Sequence, residues 1–333
     1  MPDLSRRTLI AGTAVAATGA VLPSLAGLSP SLAAAPLSGR QNAGWYRYKV
    51  GDFEVTVVSD GGNLNTLADT YVRNASRDEV NAALAADFLP PDELTHTYTP
   101  VVVNTGKRLV AIDTGLGPAM FAKSKGQVGQ HHANLKAAGI DAKTIDVVVI
   151  SHFHGDHING LLDADGQPAF PNAEIMVPEA EWAFWADETN VSKVPPAAKG
   201  NFGNVKRVFS GLGKHVSQYK SDDEVVPGIN AMATPGHTPG HTSHIVASGK
   251  DSVVIQADVT AGAASIFLRN PDWQFMFDAI PDLAVKSRRK LYDMAATERM
   301  LVQGYHFPFP SVGHIARQGE GYRFVPAPWR PTL

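Results

Sequence analysis

Short apolar runs alternate with polar, glycine-rich turns along most of this chain, a pattern that predicts many strands and few helices. Residues 46–60, YRYKVGDFEVTVVSD, read as two extended runs joined at Gly51-Asp52, with Phe53, Val55 and Val57 on one face. Residues 99–115, TPVVVNTGKRLVAIDTG, repeat that hairpin pattern and end on Asp113. GQHHANLKAAGI (129–140) predicts a short helix, and TIDVVVISH (144–152) a buried strand. AEIMVP (173–178) is the next strand, followed by a helix over PEAEWAFWADETN (178–190). Strands are expected again over 228–237, 243–249 and 252–259, a helix over 281–298, and a closing strand at MLVQGYH (300–306). No repeat, low-complexity tract or linker interrupts the chain after residue 45, so a single α/β domain is expected.

The first 33 residues follow a different rule. A charged start with Arg6 and Arg7 leads into a mildly apolar Ala/Leu/Val/Gly stretch that closes on small residues. That order reads as an export signal. Gly, Ser, Thr and Pro dilute the stretch too strongly for a membrane anchor. SRRTLIA (5–11) resembles the twin-arginine class of signals, which implies passage of a folded protein through the twin-arginine export machinery. The expected layout is a signal over 1–33, cut between Ala33 and Ala34, and a periplasmic or secreted domain over 34–333.

Composition narrows the chemistry. The 333 residues are 44% apolar and 18% charged, enough for a sizeable core, and the net charge of −3 offers no footprint for nucleic acid. With no cysteine, disulfides, thiolate catalysis and thiolate metal ligation are excluded. No G-x-S-x-G turn and no G-x-G-x-x-G segment supports a serine nucleophile or a nucleotide cofactor. The expected partner is a small molecule; a homodimer stays open.

One decapeptide stands apart. SHFHGDHING (151–160) gathers His152, His154, Asp156 and His157 directly after an apolar strand. Alternation along extended chain points His152 and His154 the same way, and a turn at Gly155 is expected to fold Asp156 and His157 back toward them. Imidazoles and a carboxylate converging on one point suit a borderline divalent metal, most often zinc. Further candidates recur at later strand ends: His237, Asp258 and His306.

That set, H-x-H-x-D-H, then a histidine, an aspartate and a last histidine, resembles the metallo-β-lactamase superfamily over roughly residues 45–325. GHTPGHT, HFPFPSVGHI and GEGYRFVP are similar to its secreted methyl parathion hydrolase group. The resemblance implies a four-layer αβ/βα sandwich. It also implies two divalent ions, one held by His152, His154 and His237, the other by Asp156, His157 and His306, with Asp258 bridging. Asp156 and Asp258 are then the carboxylates of a dinuclear hydrolase in which a metal-bridging hydroxide attacks aryl esters, lactones or phosphotriesters. Two alternatives stay open: a quorum-quenching acyl-homoserine lactonase, and an exported metal- or ligand-binding protein without turnover. Lactonases of the superfamily commonly carry a tyrosine three positions after the bridging aspartate, where this chain has Ala261.

The remaining histidines and the aromatics are less determined. His241, His244 and His314 are read as hydrogen-bonding supports or surface groups, and Asp113 as a support for a ligand histidine or a plain strand-end residue. His96, His131, His132 and His215 carry no motif. Phe121, Trp182, Phe184, Trp185, Phe275 and Phe277 are divided between core and the mouth of a pocket, and Asn201 and Phe202 are further pocket candidates.

Overall fold

Valine-rich runs whose side chains alternate between two buried faces build the centre of the molecule. The computed structural model describes residues 37–39, 41–194, 198–260 and 264–333, the side chains of 264 and 265 excepted. The proposed signal segment, its cleavage point and Ala261 lie outside the described residues. Residues Asn42–Leu333 form one compact unit.

The first sheet has the order β1 (Trp45–Val50), β2 (Phe53–Val58), β5 (Val101–Asn104), β6 (Leu109–Ile112), β7 (Val147–Val149), β8 (Glu174–Pro178) and β9 (Val216–Tyr219). β3 (Gly61–Thr66) and β4 (Glu93–Tyr98) pair as a separate hairpin. The second sheet runs in sequence order through β10 (Glu224–Val226), β11 (Ile229–Ala233), β12 (Thr242–Ser248), β13 (Asp251–Ile255), β14 (Leu301–Gln303), β15 (Val312–Gln318) and β16 (Gly321–Pro326). The helices are α1 (Arg77–Ala85), α2 (Ala119–Lys123), α3 (His131–Ala137), α4 (Gly155–Ile158), α5 (Glu179–Ala186), α6 (Gly200–Phe209), α7 (Ala264–Arg269) and α8 (Pro281–Glu298).

Alternation sets the layers. Val55, Val57, Val101, Val103, Val147 and Val149 face inward and meet Ile229, Val246, Val253 and Ile255 of the second sheet. Their neighbours Val58, Val102 and Val148 face outward beneath Leu135, Trp185, Val205 and Phe209. On the far side, Val254, Val302 and Ile315 pack under Leu291, Tyr292 and Ala295 of α8. Both faces of each sheet are therefore dry, which explains the near-continuous Val/Ile runs, and each fully buried Val or Ile contributes about 1.5–3 kcal/mol. The result is the expected helix–sheet–sheet–helix sandwich.

Several expected details change. MLVQGYH is not the closing strand, because β15 and β16 follow it as an antiparallel hairpin. Residues 155–158 form the one-turn helix α4, with His154 at its N-cap position, rather than a simple glycine turn. Helix α1 escaped the pattern reading although Ser76 and Glu79 form a reciprocal capping box.

Direction matters most for function. β6 and β7 run parallel, as do β13 and β14, the latter pair joined through α7 and α8. β11 runs in the same sense as β13, since each is antiparallel to β12. The residues that follow β7, β11, β13 and β14 cluster at one end of the sandwich, and Asn63, Asn65, His96 and Tyr98 of the β3–β4 hairpin line the cavity over them.

Candidate metal centre

Each strand end delivers a donor. The loop after β7 and the start of α4 carry His152, His154, Asp156 and His157; His237 follows β11, Asp258 follows β13 and His306 follows β14. Glycines make the His237 loop possible. Gly236 has φ 134°, and a Cβ there would lie 2.1 Å from the backbone nitrogen of Ala284 in α8. A Cβ on Gly240 would lie 2.1 Å from the backbone nitrogen of Glu181 in α5.

The seven residues meet as two groups sharing one carboxylate. His152, His154, His237 and Asp258 form one; Asp156, His157, Asp258 and His306 the other, with donor atoms in each within 4.8 Å of one another. In the first, His154 Nδ1 lies 3.1 Å from His152 Nε2 and 2.9 Å from His237 Nε2, and His237 Nε2 lies 3.2 Å from Asp258 Oδ2. In the second, His157 Nε2 is 3.4 Å from Asp156 Oδ2 and 3.3 Å from Asp258 Oδ1. His306 Nε2 is 3.5 Å from Asp156 Oδ2 and 3.2 Å from Asp258 Oδ2.

These spacings fit divalent ions. Ligands at zinc-like bond lengths around a tetrahedron sit about 3.3 Å apart. The opposite ring nitrogens are already engaged: His157 Nδ1 with Asp113 Oδ2 at 2.9 Å, His237 Nδ1 with Asp278 Oδ1 at 3.0 Å, and His306 Nδ1 with the Thr97 carbonyl at 2.8 Å. His152 Nδ1 lies 3.0 Å from Ser151 Oγ. Those contacts fix the tautomers so that lone pairs point inward. His157 Nε2 and Asp258 Oδ1 are buried without a hydrogen-bond partner. Buried, unpartnered lone pairs of this kind are costly unless a cation satisfies them.

Electrostatics follow hydrogen bonding to carboxylates rather than the donor groups. Burial depresses the basicity of His152 and His154, the latter to about 3, as suits neutral imidazole donors. Burial acts the same way on His237, but hydrogen bonds to Asp258 and Asp278 push it up to about 9. Burial would raise Asp156 and Asp258, yet His157 holds Asp156 down at about 2, and His306 and His157 hold Asp258 well below the carboxylate range.

Other expectations divide clearly. Asp113 is a support: besides His157 it accepts the Ser151 backbone N–H and hydroxyl, each at 2.8 Å. His241 supports Asp258, its Nε2 accepting the Asp258 backbone N–H at 3.0 Å. His244 bonds Tyr219 at 2.9 Å, and His314 on β15 turns to the Met300 carbonyl at 3.1 Å; neither belongs to the donor groups. His131 and His132 meet the carbonyls of Val58 and Gly160. His96 lines the cavity above the centre.

That cavity encloses about 680 Å³. Phe275 and Phe277 line it, whereas Trp182, Phe184 and Trp185 belong to the core cluster over the first sheet, and Phe121 is exposed on α2. Asn201 lines the cavity and donates to the Phe153 carbonyl at 2.8 Å; Phe202 is buried against Trp185. Sequence reasoning missed Asp278, Arg288 and Glu181. Of the two carboxylates in the otherwise apolar EAEWAFWA helix, Glu179 and Glu181, only Glu181 is buried, and its place among aromatics was the available signal; nothing local marks Asp278.

Comparison with known proteins adds four findings. Residues 95–300 match the model of the metallo-β-lactamase superfamily. An N-acyl homoserine lactonase from a Bacillus species is 27% identical over 235 residues, covering 68% of this chain and 81% of that protein. Among solved structures, AidC, a dizinc quorum-quenching lactonase in complex with a product, superposes with TM-score 0.80 at 25% identity over 86% of this chain and 98% of AidC. The hydrolase AbOPH does so with TM-score 0.78 at 27% identity over 87% of this chain and all of AbOPH. With the family match spanning more than half of its length and two His/Asp donor groups at the strand ends suited to a pair of divalent ions, this chain belongs to the metallo-β-lactamase superfamily and is a metal-dependent hydrolase.

Proposed function

We propose that His152, His154 and His237 hold one ion, that Asp156, His157 and His306 hold the other, with Asp258 shared, and that the centre hydrolyses small neutral aryl esters, lactones and phosphotriesters. When bound, such a metal pair supplies Lewis acidity and an activated water. The chain's own residues set what reaches it.

The observation that carries the substrate class is the cavity wall. Leu67, Phe275, Met276 and Phe277 offer an apolar side, while Asn63, Asn65 and Asn204 offer neutral hydrogen-bonding groups. No lysine or arginine lines the cavity among the described residues. A substrate carboxylate held away from the centre, as a β-lactam would carry, therefore has no cationic partner, whereas an uncharged ester with an apolar arm needs none. The volume falls in the range of small-molecule sites.

Leaving-group chemistry favours aryl substrates. The Tyr98 hydroxyl donates to Asn63 Oδ1 at 2.8 Å and the Tyr305 hydroxyl to the Asp156 carbonyl, so both are committed elsewhere. A poor alkoxide leaving group gains little from either as a proton donor. The resemblance of the C-terminal stretches GHTPGHT, HFPFPSVGHI and GEGYRFVP to the methyl parathion hydrolase group supports the same preference. A second reading, N-acyl homoserine lactonase, is favoured by the Bacillus relatives and by AidC. We also propose that the Arg6-Arg7 leader directs export of the folded protein.

A panel of kcat/KM values on the zinc-loaded protein tests the reading. Aryl esters and nitrophenyl phosphotriesters should exceed alkyl lactones, and all neutral substrates should exceed β-lactams by about a hundredfold. A preference for long-chain homoserine lactones beyond about tenfold, or about 1.4 kcal/mol of transition-state preference, establishes the second reading instead. β-Lactam turnover within tenfold of the best ester would defeat the argument from the cavity wall.

A further inference from the structure

We infer that Glu181 is a positioning residue for one donor group and not the other: its carboxylate ties together the two loops that carry His152, His154 and His237. The inference rests on the ligand assignment proposed above. Glu181 lies in α5 and is fully buried. Its Oε1 accepts the Phe153 backbone N–H at 3.0 Å and the Trp185 indole N–H at 2.6 Å, and its Oε2 accepts the Gly240 backbone N–H at 2.8 Å.

The register of those donors gives the contact its meaning. Phe153 sits between His152 and His154, and Gly240 lies three residues after His237. One side chain thus sets the separation of two loops that come from different sheets, the first after β7 and the second after β11. Gly240 has no room for a side chain against α5, so the loop rests directly on the helix backbone beside this carboxylate. Among the described residues, no hydrogen bond runs from Glu181 to Asp156, His157 or His306, or to their immediate neighbours in the chain.

Burying a carboxylate here costs more than an apolar side chain packed against Phe153 and Trp185 would, since burial opposes the charge. Burial indeed raises the Glu181 carboxyl above its usual range, opposed by the N–H donors. What the carboxylate provides and an alkyl group does not is two acceptor atoms at a fixed spacing, each bonded to the backbone of a different ligand loop. That spacing sets the bite of the three imidazoles.

The test uses the full chain, loaded with zinc and then equilibrated against rising chelator, with zinc per chain read by elemental analysis. Glu181→Gln replaces one acceptor by an N–H donor that faces a backbone N–H. The variant should release one equivalent at a chelator concentration at least about tenfold below that needed by the wild type, the scale on which supporting contacts act. The other equivalent should leave at the wild-type concentration. If the wild type itself holds fewer than two ions, the dinuclear reading fails whatever Glu181 does. If the wild type holds two and Glu181→Gln releases both at wild-type concentrations, or both together earlier, the role assigned to Glu181 is overturned and the dinuclear reading stands. Should the variant not fold, hydrogen exchange on chelated wild-type protein decides. The Phe153 and Gly240 amides should then exchange at least about a hundredfold more slowly than open backbone, and exchange at the open-chain rate overturns the inference.

Discussion

Replacing Asp278 examines how the scaffold holds an imidazole whose metal-facing nitrogen does the binding. Asp278 is 1% exposed, and its carboxylate serves three neighbours: His237 Nδ1 at 3.0 Å, the Phe275 backbone N–H at 3.2 Å, and the Arg288 guanidinium at 3.7 Å. In Asp278→Ala the His237 ring loses the acceptor that fixes its tautomer and orientation. Contacts of this kind are worth ten- to a hundredfold in metal affinity, or about 1.4 to 2.7 kcal/mol. Folding should survive the change. Arg288 keeps hydrogen bonds to the carbonyls of Val259, Pro271 and Trp273 at 3.0, 2.8 and 2.7 Å, so its buried charge is not left bare. The stability cost should therefore lie near the lower end of the roughly 3–5 kcal/mol typical of a broken buried ion pair.

Asp278→Asn separates charge from orientation. The amide oxygen can still accept from His237, while its N–H₂ group must face the Phe275 N–H. This variant should hold metal within about tenfold of the wild type, at a stability cost of about 1–3 kcal/mol for the unmade bond. Competition against a chromophoric chelator measures the affinity, and denaturant unfolding of the metal-free proteins measures the stability separately. Two zinc ions bound by Asp278→Ala with wild-type affinity would refute the claim that this carboxylate orients His237.

Three further outcomes follow from the same geometry. His306→Ala should lose zinc and most activity, whereas His314→Ala should retain both within about tenfold, because His314 on β15 faces the Met300 carbonyl and lies outside both donor groups; elemental analysis and initial rates distinguish them. Removing zinc should abolish turnover and lower the melting temperature, since an ion at a hundred times its dissociation constant adds about 2.7 kcal/mol to the folded state; readdition should restore both, and an unchanged melting curve would contradict a site built into the fold. His131 should contribute to acid sensitivity. Burial, with its neighbour His132, lowers its folded value to about 3 against 6.5 for the unfolded chain. Its contribution is therefore present above pH 6.5 and lost as pH falls toward 3, at about 1.4 kcal/mol per pH unit for one proton. The stability of metal-free His131→Gln should fall less steeply than wild type between pH 6.5 and 4, and equal slopes by denaturant titration would remove His131 from the account.

What the sequence determined by itself was mostly what period and spacing encode. Val55 and Val57 against Val58, and the valines of β5 and β7, announced strands buried on both faces, because side chains alternate along extended chain whatever the partner. The crowding of His152, His154, Asp156 and His157 after an apolar strand announced a metal site, because so many polar groups gathered at a buried strand end need a cation to satisfy them. His237, Asp258 and His306 were legible as further candidate donors through their strand-end positions and the family pattern, and the fold brings them into the same two groups.

Tertiary structure decided how those groups are held and what may approach them. Asp278 orients His237 from 41 residues away and Glu181 reaches Gly240 across 59, separations at which no local pattern exists to be read. The choice between Trp182, Phe184 and Trp185 as pocket wall or as core fell to the packing of α5 on the first sheet, since an aromatic at a helix surface looks the same in sequence whichever layer covers it. The absence of cationic residues around the cavity, among those described, depends on which loops the fold brings over the centre. Local chemistry wrote the donors into the chain; the long-range contacts that give them their separation, tautomers and neutral surroundings exist only once the two sheets close.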